Sequence, residues 1–309
     1  MTTQEQDPKA DARFDALRDN VRGSRPRAHS EWEYFKCGDD TRLFVERWMP
    51  PDPPERVALC FHGMSAHGRY YALLADALVP RGIGVVACDM RGHGLSDGPR
   101  GDIEDPKRLV ADARQVYAAV RARYPKAALF TVGESMGGAL NANLAMSAPA
   151  GLRGAIFLSP AIAPALRMPL SLLVMLPVYA LAAVFASRAK IVRVSGRERE
   201  GMNNGLNVDY DRNDPLHIHF ACIRYMRGVK WLMDQARAGG PQSLGGPVLI
   251  FQGGNDAAVS PAATKQFFEA LRSQDKTLKF YDKAKHCMLS DPVHGPMVFE
   301  TIIEWIEKH

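Results

Sequence analysis

The stretch AALFTVGESMGGALNANLA, residues 127–145, reads as a buried strand, a sharp turn and a helix in succession. Its centre is Gly133-Glu134-Ser135-Met136-Gly137, a G-x-S-x-G pattern in which the serine sits on the turn. The flanking glycines are what such a turn needs, because larger side chains would clash with backbone where a strand doubles back into a helix. A chance Gly-Ser turn would give the same letters, but not an apolar strand before them and a helical run after.

A serine hydroxyl is a poor nucleophile until a base removes its proton, so a histidine oriented by a carboxylate is expected after Ser135, in the chain order Ser, Asp, His. Both partners are present. Asp256 follows the apolar run VLIFQ in Gly253-Gly254-Asn255-Asp256, and His286 follows LKFYD in Lys283-Ala284-Lys285-His286. The nearby Asp275, Asp282 and Asp291 fall at a helix end, a strand end and a helix start, where solvation or capping accounts for them. His294 and His309 belong to the closing helical region, and His217-x-His219 lacks an evident third metal ligand. The tetrahedral oxyanion also needs donors, each worth about 3 kcal/mol. The backbone N–H of Met136 is one, and that of Met64, in His62-Gly63-Met64-Ser65 after the strand RVALCF, is expected to be the other.

Outward from these loops, short β-type runs open the chain: EWEYFK, TRLFVERWM and RVALCFH. Strand-like and helix-length runs then alternate through IGVVACD, 104–123, AALFTVG, 136–147 and GAIFLS, which predicts a parallel sheet flanked by helices. The rhythm stops after Ser159 and resumes at PVLIFQG, with a helix from Pro261, the strand TLKFYD and a closing helix. The expected organisation is a flexible arm at 1–29, an α/β core at 30–159 and 247–309, and an inserted cap at 160–246 over the carboxyl ends of the strands. The uncharged stretch Met168–Ala186 is long enough to weigh as a bilayer span. Pro177 near its middle, and the need to pair strands on both sides of it, favour apolar cap helices that line an acyl pocket and touch a membrane surface.

Composition narrows the function classes. Among 309 residues, 39 Lys and Arg stand against 34 Asp and Glu, a net charge of +5 that is scattered along the chain, so nucleic acid is not indicated. The densest basic stretch, Arg193 to Arg199, is interleaved with Glu198 and Glu200 and reads as a solvated face. Five cysteines without a CxxC pair suggest neither a disulfide framework nor a zinc site, and no cofactor is required. With no secretory pattern at the N-terminus, a cytoplasmic location, peripheral to membrane at most, is the expectation.

Together with Asp89-Met90-Arg91-Gly92-His93-Gly94-Leu95-Ser96-Asp97-Gly98, these motifs resemble the monoacylglycerol lipase and lysophospholipase group of α/β-hydrolases. HGMSAHGRYY resembles that family's oxyanion loop, GESMGG its elbow, GGNDAAVS its acid loop and SQDKTLKFYDKAKH its last strand and histidine. The likeness covers most of 31–309 and is weakest in the cap. It implies the α/β-hydrolase fold and hydrolysis of a monoacylglycerol, with a lysophospholipase or broad carboxylesterase as alternatives. It also makes the GHGLSDG segment structural, so His93 and the decoy Ser96 take no catalytic role. A peptidase would need acidic residues to grip a substrate amino terminus, and no such pair stands out. A catalytically silent lipid- or partner-binding protein would show a broken triad, which this chain does not. One departure concerns the residue before the nucleophile, a histidine in animal members and Glu134 here. Two readings of Glu134 stay open: it holds the alcohol side of the substrate, or it pairs with a base such as Arg69, itself a candidate substrate contact.

Overall fold

The computed structural model describes residues 27–165, 188–194 and 213–309. The first part of the expected arm, the stretch Met168–Ala186 and most of the Arg193–Arg199 stretch lie outside the described residues.

An eight-stranded sheet runs in the order β1-β2-β4-β3-β5-β6-β9-β10, formed by Ser30–Lys36, Arg42–Trp48, Arg56–Phe61 (β3), Ile83–Cys88 (β4), Ala128–Glu134 (β5), Leu152–Leu158 (β6), Val248–Gly253 (β9) and Lys276–Tyr281 (β10). The β1–β2 and β2–β4 pairs are antiparallel, and all other pairs are parallel. A separate two-stranded ribbon joins Val192–Arg193 (β7) to Phe220–Ala221 (β8). The central strands are buried along nearly their whole length, as strands covered on both faces must be.

Among the described residues, six α-helices cover the two faces: α1 Ala72–Leu78, α2 Pro106–Arg123, α3 Met136–Ala145, α4 Ile223–Ser243, α5 Pro261–Ala270 and α6 Gly295–Lys308. Residues of α2 to α5 share one apolar core with one face of the sheet, while α1 and α6 share a second core with the other. Local chemistry sets several helix starts. Asp105 accepts from the Lys107 N–H ahead of Pro106, and Ser260 accepts from the Ala263 N–H ahead of Pro261.

Strands β6 and β9 are neighbours, so the chain leaves the sheet at 159 and re-enters it at 248. Not all of the intervening segment sits above the sheet. Helix α4 packs along α3, and the Asn143 side chain donates to the Leu232 carbonyl at 3.0 Å, which makes α4 part of the core's helical layer. Its buried positions Tyr225, Gly228, Val229, Leu232, Met233 and Ala236 carry the helical spacing of a core-facing stripe.

α3 crosses β3 with no room for a side chain at Gly137. A Cβ added at Gly137 would lie 2.0 Å from the Phe61 carbonyl oxygen and 2.5 Å from that of His62, both backbone atoms that cannot swing aside. Gly137→Ala should therefore destabilise the fold by about 2 kcal/mol or more, read as a lowered urea midpoint at unchanged m-value.

Candidate active site

Parallel register brings the catalytic candidates to one edge of the sheet. Phe61 pairs with Gly133, Glu134 with Leu158, Leu158 with Phe251 and Gln252 with Phe280, so β3, β5, β6, β9 and β10 end side by side. The loops that follow β3, β5, β9 and β10 carry Met64, Ser135, Asp256 and His286.

Ser135 adopts φ 55° and ψ −119°, a region that costs a non-glycine residue about 1–3 kcal/mol. Its backbone is held there from several directions. The N–H donates to the Leu158 carbonyl, and the carbonyl accepts from Gly138, Ala139 and Ala161 at 2.9–3.2 Å. The strain turns the side chain up out of the strand at the N-terminus of α3, where the Met136 N–H belongs to the first helical turn.

His286 and Asp256 are buried and joined. The Nδ1–H of His286 donates to Asp256 Oδ2 at 2.8 Å, which fixes the tautomer and leaves Nε2 as the basic nitrogen. Asp256 Oδ2 also accepts from the Gln252 amide at 3.1 Å, while Oδ1 accepts from the Ala258 and Val259 N–H groups at 2.8 and 3.0 Å. Gln252 is in turn held by the Thr264 hydroxyl at 2.9 Å. Burial pushes the Asp256 carboxyl up, but His286 and the two backbone donors outweigh it and leave the group below the usual carboxylate range. The acid and histidine loops are also clamped together, since Asn255 N–H donates to the Ala284 carbonyl and Gly254 N–H to that of Tyr281.

The loop after β3 runs directly beside Ser135. A Cβ placed on Gly63 would lie 3.4 Å from Ser135 Cβ and 3.9 Å from its Oγ. The peptide joining Gly63 to Met64 is fixed through its carbonyl, which accepts from His62 Nδ1–H at 2.9 Å and from the Ala66 N–H at 3.2 Å. Because the N–H and C=O of a trans peptide point in opposite directions, holding that carbonyl aims the Met64 N–H. His62 can act this way only as a neutral ring, since its Nε2 accepts from the Met90 N–H at 3.0 Å. Burial, with the adjacent His93, holds its pKa well below the ordinary histidine value.

Ser96 is a structural residue: its Oγ donates to the Asp89 carbonyl at 2.6 Å and accepts from the Phe44 N–H at 2.8 Å, tying the β4 loop to β2. His217 meets the Tyr70 hydroxyl at 3.2 Å. Arg69 requires a correction. Its guanidinium is buried against Glu46 on β2, beside the Ser30 hydroxyl and the Trp48 ring, and so faces the far side of the sheet instead of a substrate. The reason is electrostatic: Glu46 is fully enclosed, burial raises its pKa to about 7 despite Arg69, and the guanidinium is the cation that compensates it. Glu134 consequently has no ion pair with Arg69. It is 6% exposed, and its Oε1 has no hydrogen-bond partner among the described residues.

A second buried pair, which the sequence did not disclose, ties the loop after β3 to the chain entering α4. His67 Nε2 meets Asp214 Oδ2 at 2.7 Å, the Tyr70 hydroxyl donates to the same oxygen at 3.1 Å, and the Leu216 N–H donates to Oδ1 at 2.8 Å.

A family profile described as "Serine aminopeptidase, S33" matches residues 52–293. Monoglyceride lipase of Mus musculus is 30% identical over 272 residues, covering 87% of this chain and 88% of that protein. The chain belongs to this family, in its monoglyceride lipase-like group. Monoacylglycerol lipase of Mycolicibacterium smegmatis is 24% identical over 279 residues, covering 87% and 94% of the two chains. Among solved structures, a monoacylglycerol lipase of Paleococcus ferrophilus has a TM-score of 0.72 at 25% identity over 86% of this chain and 99% of that one. A monoglyceride lipase of Saccharomyces cerevisiae in complex with a substrate analogue has a TM-score of 0.80 at 20% identity, over 94% and 98%. The α/β-hydrolase fold expected from the motifs is thus the fold of this monoglyceride lipase-like chain.

The His67–Asp214 pair carries a pH signature. Burial pulls the His67 pKa down, but Asp214, Asp89 and Glu46 carry it above the ordinary histidine value. A pKa raised by folding contributes stability below about pH 6.5 and loses it as pH rises through the folded value. Asp214→Asn should therefore cost about 3 kcal/mol near pH 6 and distinctly less near pH 9, as read from urea midpoints at the two pH values.

Proposed function

We propose that this chain hydrolyses monoacylglycerols to a fatty acid and glycerol through an acyl-enzyme on Ser135, with His286 as general base, Asp256 as its orienting acid, and the Met64 and Met136 N–H groups as the oxyanion hole. The observation that carries the reading is the buried His286–Asp256 hydrogen bond on the same sheet edge as a serine held at positive φ. The relatives named monoglyceride lipase and monoacylglycerol lipase supply the substrate class.

In the first half-reaction, Ser135 Oγ attacks the ester carbonyl carbon while His286 Nε2 takes its proton. Negative charge gathers on the carbonyl oxygen, where prearranged amide dipoles stabilise it more than they stabilise the ground state. Asp256 remains a carboxylate and supports the imidazolium. Collapse of the tetrahedral intermediate breaks the acyl C–O bond, and His286 returns the proton to the departing glycerol oxygen. In the second half-reaction, water gives its proton to His286, attacks the acyl carbon and releases the fatty acid from Ser135. Each proton is returned, and no metal or organic cofactor enters the scheme.

The remaining segment of 160–246, apart from α4, is the cap in this reading, and the uncharged composition of 168–186 suits an acyl chain. Ile191, just before β7, and Phe220, on β8, 48% and 50% exposed, support contact of this region with a lipid surface. The five cysteines are all buried free thiols, which supports a reducing compartment. Glu134 is the acidic group next to the nucleophile that has no ion pair among the described residues, and it suits the hydroxyl groups of the alcohol portion.

Fatty-acid release from monoacylglycerols of graded chain length, with lysophospholipid, a short p-nitrophenyl ester and an aminoacyl p-nitroanilide in parallel, tests the reading. Monoacylglycerol should be preferred, and Ser135→Ala should lower turnover by several orders of magnitude. Asp256→Asn should lower it by about 10⁴-fold, because the histidine then loses its productive tautomer. A preference for the lysophospholipid or the anilide would reassign the substrate, and turnover unaffected by Ser135→Ala would defeat the mechanism.

The Glu134 assignment has its own test. Glu134→Gln should raise the KM for monoacylglycerol about 10-fold, the worth of a charge-assisted hydrogen bond, with little change on the p-nitrophenyl ester. An equal effect on both substrates would remove Glu134 from the alcohol site.

A further inference from the structure

Helix α4 places one phenol between the loops after β3 and β4 and the start of α3. Tyr225 is 0% exposed. Its hydroxyl lies 2.9 Å from His93 Nε2, 3.4 Å from the Ser65 backbone nitrogen and 3.8 Å from Met136 Sδ. Ser65 follows the expected oxyanion donor Met64, and Met136 follows the nucleophile. The phenol thus touches both sides of the oxyanion site without belonging to either loop.

The direction of each hydrogen bond can be worked out from the partners. His93 Nδ1 faces the Arg91 carbonyl at 3.0 Å, and a carbonyl only accepts, so Nδ1 carries the proton. In a neutral ring Nε2 is then an acceptor, and burial keeps this ring neutral by pushing its pKa down to about 4. The Tyr225 O–H must donate to Nε2, which leaves an oxygen lone pair to receive the Ser65 N–H. One polarised chain results: Ser65 N–H to Tyr225 O–H to His93 Nε2, and His93 Nδ1–H to the Arg91 carbonyl.

That chain acts on the peptide between Met64 and Ser65, while His62 acts on the peptide before it. Ser65 sits at φ 65°, a strained conformation for a residue with a side chain, and several bonds keep it there. Its hydroxyl donates to the Met64 carbonyl at 2.5 Å, and its own carbonyl accepts from the Ile218 N–H at 3.0 Å. With the peptides on both sides of Met64 tied down, the direction of the Met64 N–H is set before substrate arrives. Prearrangement of this kind is what gives an oxyanion donor its effect, since the donor then needs no reorganisation in the transition state.

We infer that Tyr225 is a positioning residue of the oxyanion hole, acting through the Ser65 N–H with its own hydroxyl oriented by His93. The inference rests on the assignment of Ser135 and Met64 proposed above. It adds to that assignment a residue from the helix that follows the cap segment, and so couples the seating of α4 to transition-state stabilisation. Both α4 and the chain just before it bear on the same loop, through Tyr225 and through Ile218.

The test is Tyr225→Phe, which keeps the ring and removes one oxygen atom. On a p-nitrophenyl ester, kcat should fall about 10-fold or more with KM nearly unchanged, because the lost alignment matters in the transition state alone. Affinity for an alkyl trifluoromethyl ketone, which forms a tetrahedral hemiketal on the serine, should fall by a similar factor. The melting temperature serves as the control for folding. Unchanged kcat and ketone affinity, with or without a lowered melting temperature, would overturn the inference and leave Tyr225 as a packing residue. Should Tyr225→Phe fail to fold, His93→Leu removes the acceptor that orients the phenol, and the same two outcomes decide. A wild-type chain inactive on every ester would overturn the active-site reading and this inference together, whereas an active wild type with an unaffected Tyr225→Phe variant defeats the inference alone.

Discussion

Ser135 is held at a backbone conformation that a non-glycine residue adopts only at a cost of about 1–3 kcal/mol, and much of the architecture around it serves to keep it there. β6 accepts its N–H through Leu158, α3 begins at the next residue, and the chain after β6 donates to its carbonyl through Ala161. The same geometry demands that α3 pass so close to β3 that a hydrogen atom alone fits at Gly137. Once that crossing is fixed, the loop after β3 has no course except alongside the serine, and its N–H groups come within reach of a reacting carbonyl. In the proposed mechanism, the strain at one residue therefore organises both the nucleophile and the stabilisation of the charge it generates.

The groups that support this centre are buried and hydrogen-bonded almost to saturation. Asp256 receives donors on both oxygens, which explains how a buried carboxyl stays ionised next to a histidine that, in the proposed mechanism, gains and loses a proton. His62 and His93 do the opposite: burial keeps them neutral, so each ring supplies one donor and one acceptor in fixed directions. Three buried histidines, His62, His93 and His286, thus share one neighbourhood with different tasks. The chemistry is set by what each ring faces: a carboxylate for His286, backbone carbonyls for the other two.

Much of this was legible in the sequence because the relevant signals are local. The strands announce themselves as short apolar runs, the elbow as glycines flanking a serine, and the acid and histidine as loop residues after consecutive strands. What remained hidden depends on contacts between distant residues. Nothing in the letters around Tyr225 separates it from the other apolar-face residues of an amphipathic helix, since its meaning comes from His93 and Ser65 on other loops. The place of Arg69 was hidden for the same reason: Glu46, on a strand lying on the far side of β3 and β4 from Ser135, captures it. Helix α4 was counted with the cap because the rhythm of strands breaks after Ser159, although its stripe of buried residues at helical spacing carried the information that it packs on α3.

The central claim is that a single activated serine, Ser135, carries the acyl group. Reaction of the folded chain with an alkyl fluorophosphonate, followed by peptide mass spectrometry, tests it directly. The account predicts a stoichiometric adduct on the peptide containing Ser135, with Ser96 unmodified. Labelling at another serine, or no labelling of a chain that nonetheless hydrolyses esters, would contradict it.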